Sequence, residues 1–236
     1  MFDNLFLTTA SLVKLGGPVV AILIVLSVLA LAIILMKLFQ FAVQKVGRRN
    51  QVQQGWMLWS HGDTPAALAV LDRDRSAVAS VLGVAIRLGA QAGVPRHVVE
   101  EEVGRVAVTR IYGLQRGLRA LDAIAQIAPL LGLFGTVIGM IEAFQTLQQA
   151  GNSVDPSILA GGIWVALLTT ATGLAVAMPV SLVLTWFESR IENERIAIET
   201  MTTKLMSQQS ILAAKASENG EKQVVQLGER IGHAAY

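Results

Sequence analysis

The chain has no cysteine among its 236 residues, three histidines, two tyrosines, and charged side chains at only 15% of its positions. The missing thiol excludes structural disulfides, thiolate nucleophiles, iron–sulfur ligation and cysteine zinc sites. His61, His97 and His233 lie far apart and form no HxxH or HExxH pattern, so a histidine metal site could arise only by folding, and none is expected. The 19 basic and 17 acidic residues nearly cancel, and no basic cluster interleaved with aromatics exists, so nucleic acid is not an expected partner. The low charged share, beside 53% apolar side chains, argues against an ordinary soluble enzyme. No cofactor is implied.

What is present is a set of long uncharged gaps. About 20 apolar residues cross the ~30 Å of bilayer hydrocarbon. Lys14 and Lys37 enclose 22 uncharged residues, Asp122 and Glu142 enclose 19, and Asp155 and Glu188 enclose 32. These predict spans at 15–36, 123–141 and 156–187. The first has an apolar core longer than a signal-peptide h-region and no small-residue cleavage site after it, and reads as a retained anchor. The third would rise ~48 Å as a helix, so it extends past the hydrocarbon. Asp155-Pro156 is its start signal, a capping residue followed by a first-turn proline.

Basic residues give the orientation. Segment 37–122 holds 12 Lys/Arg, the tail from 188 onward holds six, the arm 1–14 holds one and the loop 142–155 holds none. Three crossings put 37–122 and the tail on the same side, and the positive side is cytoplasmic. The arm and the 142–155 loop then face outward. The expected fold is an all-α membrane protein with three transmembrane helices and long helices extending into the cytoplasm.

The cytoplasmic parts read as helices too. After the loop Ser60-His61-Gly62-Asp63, PAALAVLDRDR and SAVASVLGVAIRLGAQAG form two short helical stretches ending near Gly93-Val94-Pro95. From Arg96 a helical pattern meets no proline until Pro129, which predicts one long helix running into the second span. Asp72-Arg73-Asp74-Arg75 reads as a solvated charge run, and Glu100-Glu101-Glu102 as the solvated start of a helix rather than a catalytic site. Beyond the third span, Ile191, Ile198, Leu205 and Leu212 recur every seven residues on a helix over 188–218, a stripe suited to packing within the chain or between copies. Residues 219–236 are expected to fray.

The spans differ in kind. The first is uniformly aliphatic apart from Ser27 and reads as lipid-facing. The second carries Gly132, Gly135, Thr136 and Gly139, and the third a run of small and hydroxyl residues whose positions 162, 166, 170, 173, 177 and 181 fall three or four apart. Small residues let helix backbones approach closely in lipid, which assigns Gly132, Gly135, Gly139, Gly162 and Ala166 to helix packing. Composition alone is met by plain helix packing, but Thr169-Thr170-Ala171-Thr172 is a denser hydroxyl cluster than packing needs, which also fits a stripe that borders a polar pathway or receives another helix. None of the three spans contains Asp, Glu, Lys, Arg or His. A chain without an intramembrane ionisable group has no titrating relay of its own, so a proton crossing here needs a carboxylate from another polypeptide.

At APLLGLFGTVIGMIEAF, residues 128–144, and GGIWVALLTTATGLAVAMP, residues 161–179, the sequence resembles the MotA/TolQ/ExbB proton-channel family, closest to its ExbB and TolQ branches. The resemblance covers most of residues 15–215. It implies an inner-membrane homopentamer whose second and third spans line a central pore. It also implies an ExbD/TolR-like single-span partner that brings a transmembrane aspartate into the pore, and a TonB/TolA-like periplasm-spanning protein driven by the proton flow for outer-membrane import. The family's pore-lining threonines fall on Thr136 and Thr170, with Thr169, Gly173 and Ala177 beside them on the expected pathway. Many ExbB and TolQ sequences carry a glutamate where this chain has Val165. The alternatives are a TolQ-type envelope-integrity subunit and a non-conducting scaffold for a partner helix; an enzyme is not expected.

Overall fold

The computed structural model describes the backbone of residues 2–91, 93–149 and 156–233, with side chains described between 17 and 211 except at 92, 150–156 and 158. Asp155 and the end of the 142–155 loop lie outside the described residues. Seven helices follow one another: α1 (Phe2–Val43), α2 (Asn50–Ser60), α3 (Thr64–Asp72), α4 (Ala77–Gly89), α5 (Arg96–Gln115), α6 (Leu118–Gln149) and α7 (Pro156–His233). No strand occurs among the described residues. Three helices are long and apolar enough to cross a membrane, within 17–43, 96–149 and 159–211.

Two compact units divide the chain, Met1–Phe41 with Gln115–Ser189, and Ala42–Leu114 with Arg190–Tyr236. In the first, α6 and the beginning of α7 run antiparallel. Gly132 lies opposite Thr169 to Gly173, Gly139 opposite Ala166, and Ala143 opposite Gly162. The helix α1 is interrupted at Gly17 (φ 67°, ψ −163°), a left-handed conformation that glycine adopts without a Cβ clash, and Pro18 opens the helix that follows. From there α1 buries Val19 and Leu23 against Ala128 and Ala177. The first span is therefore not lipid-facing all round. Leu23, Ala30 and Lys37, seven residues apart, are buried, while Val25, Val28 and Met36 are more than half exposed. At the far end Phe41 packs edge-on against Phe187, with ring centroids 5.0 Å apart, and Trp186 lies against both. Aromatic rings at the end of a span suit the membrane interface.

The second unit contains α2 to α4, most of α5 and the remainder of α7. Asp63 caps α3 by accepting from Ala66 N at 3.0 Å, Pro65 occupies its first turn, and Ser76 caps α4 by accepting from Ala79 N at 3.2 Å. Leu71, Leu82, Ile86, Val103, Ile198 and Leu205 belong to its core. The seven-residue stripe on α7 is buried inside the chain at Ile191, Ile198 and Leu205, so intrachain packing accounts for these three; the Leu212 side chain lies outside the described residues.

Several expectations change. The pattern from Arg96 is not one helix: α5 stops at Gln115, Gly117 takes φ 89°, and α6 begins at Leu118. A left-handed glycine just past a helix end satisfies the last carbonyls and terminates the helix. The charge run at 72–75 is not wholly solvated, because Asp74 is buried and accepts from Ser76 N at 3.1 Å. The helix α2 was not expected, and α7 continues helical to His233 through the stretch expected to fray.

Candidate functional site

The contact between α6 and α7 is built from missing side chains. On α6, Ala128, Gly132, Gly135, Gly139 and Ala143 are buried at steps of three and four residues, one face of a helix. A Cβ added at Gly173 would lie 2.6 Å from the Ala128 carbonyl oxygen and 3.1 Å from Gly132 Cα, and one at Gly132 would lie 3.0 Å from the Thr169 carbonyl oxygen. Backbone meets backbone here, and no side chain can move aside. At Gly135 an added Cβ would meet the Thr169 side chain at 2.7 Å, and at Gly162 the Ala143 methyl at 2.3 Å. In lipid, where apolar burial gives helices no advantage over acyl chains, such close approach supplies the dispersion contact that holds them together.

The hydroxyls lie on and beside this seam. Thr169 is buried and its Oγ1 donates to the Ala166 carbonyl at 2.7 Å and to the Gly132 carbonyl of α6 at 3.2 Å. Thr170 is half-buried and reaches the same Gly132 carbonyl at 3.3 Å. Thr136, also half-buried, donates to Leu133 of its own helix at 2.6 Å, and Thr172 to Leu168 at 2.7 Å. These bonds keep the hydroxyls satisfied in a low-dielectric setting, and each oxygen retains acceptor capacity for an incoming donor.

All five residues expected in helix packing, Gly132, Gly135, Gly139, Gly162 and Ala166, lie between α6 and α7. Of the five expected on a pathway, Thr169, Gly173 and Ala177 are buried within the chain, whereas Thr136 and Thr170 stand half-buried at the edge. The buried line of α7 runs through Ala166, Thr169, Gly173, Ala177 and Val180, so it departs from the expected stripe at 170 and 181, and Ser181 is exposed. Val165 is half-buried and adds no charge. Among the described residues no group of three His, Asp or Glu could hold a metal ion.

The MotA/TolQ/ExbB proton channel family matches residues 74–200, which include α4 to α6 and the seam half of α7. The chain belongs to that family. Biopolymer transport protein exbB1 of Vibrio cholerae is 33% identical over 159 residues, 66% of this chain and 69% of that protein. A protein named as an ExbB homolog in Methanothermobacter thermautotrophicus is 36% identical over 138 residues, 58% of this chain and 47% of that protein. Biopolymer transport protein ExbB of Salmonella typhimurium is 33% identical over 106 residues. The alignment thus spans about half the length of the Methanothermobacter relative and about two thirds of the Vibrio one. As a member of the MotA/TolQ/ExbB family with three bilayer-length apolar helices, this is a multi-pass inner-membrane protein.

One feature of this family member that sequence reasoning missed lies outside the spans, seven residues past Phe187. Glu194 of α7 is buried; its Oε1 accepts from Gly47 N at 2.7 Å, and its Oε2 has no hydrogen-bond partner among the described residues. Gly47 has φ 85°, and Arg49 from the same turn donates to the Asn193 carbonyl at 3.1 Å, so the 44–49 connection is latched to α7. Burial holds the Glu194 carboxyl above the usual carboxylate range; the Gly47 amide and the Arg49 charge oppose this, and Asp74 adds to it. The folded state therefore binds this proton more tightly than the unfolded state does. Its contribution is complete below the ordinary glutamate value and is lost as pH rises through the elevated folded value. Glu194→Gln keeps an acceptor for Gly47 and cannot ionise, so the melting temperature of the variant minus that of wild type should grow between pH 4.5 and pH 7. A pH-independent difference across that window would show that Glu194 titrates normally.

Proposed function

We propose that the chain forms the pore-bearing ring of a proton-driven transport complex of the ExbB/TolQ type. Thr136 and Thr170 are its polar path-lining groups, and Gly132, Gly135, Gly139, Gly162 and Ala166 close the helix pair behind them. Thr169, Gly173 and Ala177 support the path from within the seam. The observation that carries this reading is a closely packed, hydroxyl-edged pair of helices whose apolar runs contain no ionisable residue, in a chain of a proton channel family. Such a wall can orient water or a carboxyl group by hydrogen bonding, and has nothing that can itself take up and release a proton. An acidic residue on a one-span ExbD/TolR-like partner helix supplies that group, and copies of this chain, five in the ring, enclose it. The basic segment 37–122 and the tail face the cytoplasm, and the proton flow drives a TonB/TolA-like periplasm-spanning protein.

The test is proton flux in liposomes under an imposed pH gradient. The chain alone should leave the gradient at its background decay. The chain reconstituted with a one-span partner carrying a transmembrane aspartate should dissipate it, and the partner's Asp→Asn variant should not. Flux from the chain alone would disprove the missing-carboxylate argument; silence from the wild-type pair in correctly assembled vesicles would make the ring a scaffold.

A further inference from the structure

The second unit contains an open cavity of about 360 Å³ whose border includes Gln44, Arg75, Ala77, Arg105, Val106 and Arg110, within the size range of ligand clefts. All of these residues belong to that unit. Three guanidiniums line the cavity and no carboxylate does. The fold diverts the acids that the sequence places nearest. In the run Asp72-Arg73-Asp74-Arg75, Asp72 pairs with Arg87, and Asp74 is buried and accepts from Ser76 N at 3.1 Å. On α5, both carboxylate oxygens of Glu102 accept from Arg105, at 2.5 and 2.8 Å, which cancels that one charge. Arg75, between α3 and α4, and Arg110, on α5, are exposed and have no carboxylate or other acceptor among the described residues. Two uncompensated guanidiniums from separate elements therefore share one cavity. Like charges held together repel, and a bound anion relieves this while each planar fork offers parallel N–H donors to its oxygens.

The charge balance selects the anion. A carboxylate or a phosphodiester brings a single negative charge, whereas a phosphate monoester brings roughly 1.5 to 2 at neutral pH, with three acceptor oxygens to place between two forks. Gln44 adds a side-chain amide that donates without charge. The helix α4 starts at the cavity with Ala77 and has no acidic residue in its first turn, so the partial charge of its N-terminus has the same sign as the arginines. Ala77 and Val106 give the cavity an apolar share, which a bare inorganic ion would leave unused. We infer that this cavity binds a soluble phosphate monoester, its phosphate held by Arg75 and Arg110 and its carbon skeleton lying against Ala77 and Val106. The site belongs to the second unit alone, and depends neither on the proposed pore nor on the proposed topology.

The experiment is isothermal titration calorimetry on the full chain in mild detergent at neutral pH and low salt. Ribose 5-phosphate is the monoester probe, and inorganic phosphate, the diester glycerophosphoglycerol and a triglutamate peptide are the comparisons. Wild type should bind ribose 5-phosphate more tightly than any of the three. R75Q/R110Q should weaken that binding by about tenfold or more, because each guanidinium removed takes charge-assisted hydrogen bonds with it. Both side chains are exposed, so the variant should melt with wild type. R75K/R110K, which keeps both charges and loses both forks, should bind with intermediate affinity. R73Q removes a charge from the same run but outside the cavity lining, and should bind like wild type. No binding by wild type, equal binding in wild type and R75Q/R110Q, or an equal loss in R73Q would overturn the site. Equal affinity for inorganic phosphate would make it a site for the free ion; tighter binding of glycerophosphoglycerol or of triglutamate would make it a phosphodiester or an acidic-peptide site. Each of these three results would overturn the monoester assignment.

Discussion

Gly173→Ala should open the α6–α7 pair and leave little monodisperse protein. The added methyl would sit 2.6 Å from the Ala128 carbonyl oxygen and 3.1 Å from Gly132 Cα, both backbone atoms of a helix that can yield only by moving as a whole. Overpacking commonly costs 1–3 kcal/mol, and where no side chain can rotate away the upper part of that range, about 3 kcal/mol, applies. For a chain of this size that is a fall in melting temperature of roughly 10 °C. The same geometry grades the neighbouring glycines. Gly132→Ala, with the Thr169 carbonyl at 3.0 Å, should cost less, and Gly139→Ala, whose nearest atom is the Ala166 methyl at 3.3 Å, should be nearly neutral. Gly135→Ala presses on the Thr169 side chain at 2.7 Å, and its cost includes displacing the Thr169 hydroxyl from the Gly132 carbonyl. Thermal melts and size-exclusion profiles of the four single variants in one detergent measure the order. A stable Gly173→Ala beside an unstable Gly139→Ala would mean that the seam is not where the helices touch.

Three long apolar helices and a row of glycines on one helix face were legible because both depend on properties written locally: the absence of charge over a bilayer's width, and the absence of side chains at helical spacing. The register of α7 was less so. Steps of three and of four residues both keep to one helix face, and with Thr169 and Thr170 adjacent, composition could not decide which of them turns inward. The first span hid its buried stripe for a related reason: Leu23 and Ala30 are chemically like the exposed Val25 and Val28, so there was no contrast to read. The helix α2, NQVQQGWMLWS, has a glutamine-rich start and too few apolar positions to show a period. Gly117 ends α5, whereas Gly104 and Gly113 lie inside it, and three glycines in one helical pattern gave no contrast to show which of them is the stop. Glu194 lay furthest beyond reach. Its partner, Gly47, is 147 residues away, and a glutamate on a helix rich in exposed acids gives no sign of being the buried one.

Thr169→Val and Thr170→Val should separate packing from conduction, although the two residues are adjacent and the substitution is the same. Valine preserves the threonine volume and removes the hydroxyl, so each variant isolates a hydrogen bond. Thr169 is 2% exposed and bridges to Gly132 across the seam, so its replacement should lower the melting temperature by the equivalent of about 1 kcal/mol and leave partner-dependent proton flux largely intact. Thr170 has only a long 3.3 Å contact to the same carbonyl and is half-buried, so Thr170→Val should melt close to wild type. If its hydroxyl bonds the partner's carboxylate or ordered water, flux should fall by about tenfold or more, since a hydrogen bond to a charged group contributes roughly 1.5–3 kcal/mol. Flux and melting temperature measured on the same preparations decide the assignment. The reverse pattern, with Thr169→Val losing flux and Thr170→Val conducting normally but melting lower, would place the pathway inside the α6–α7 seam and remove Thr170 from it.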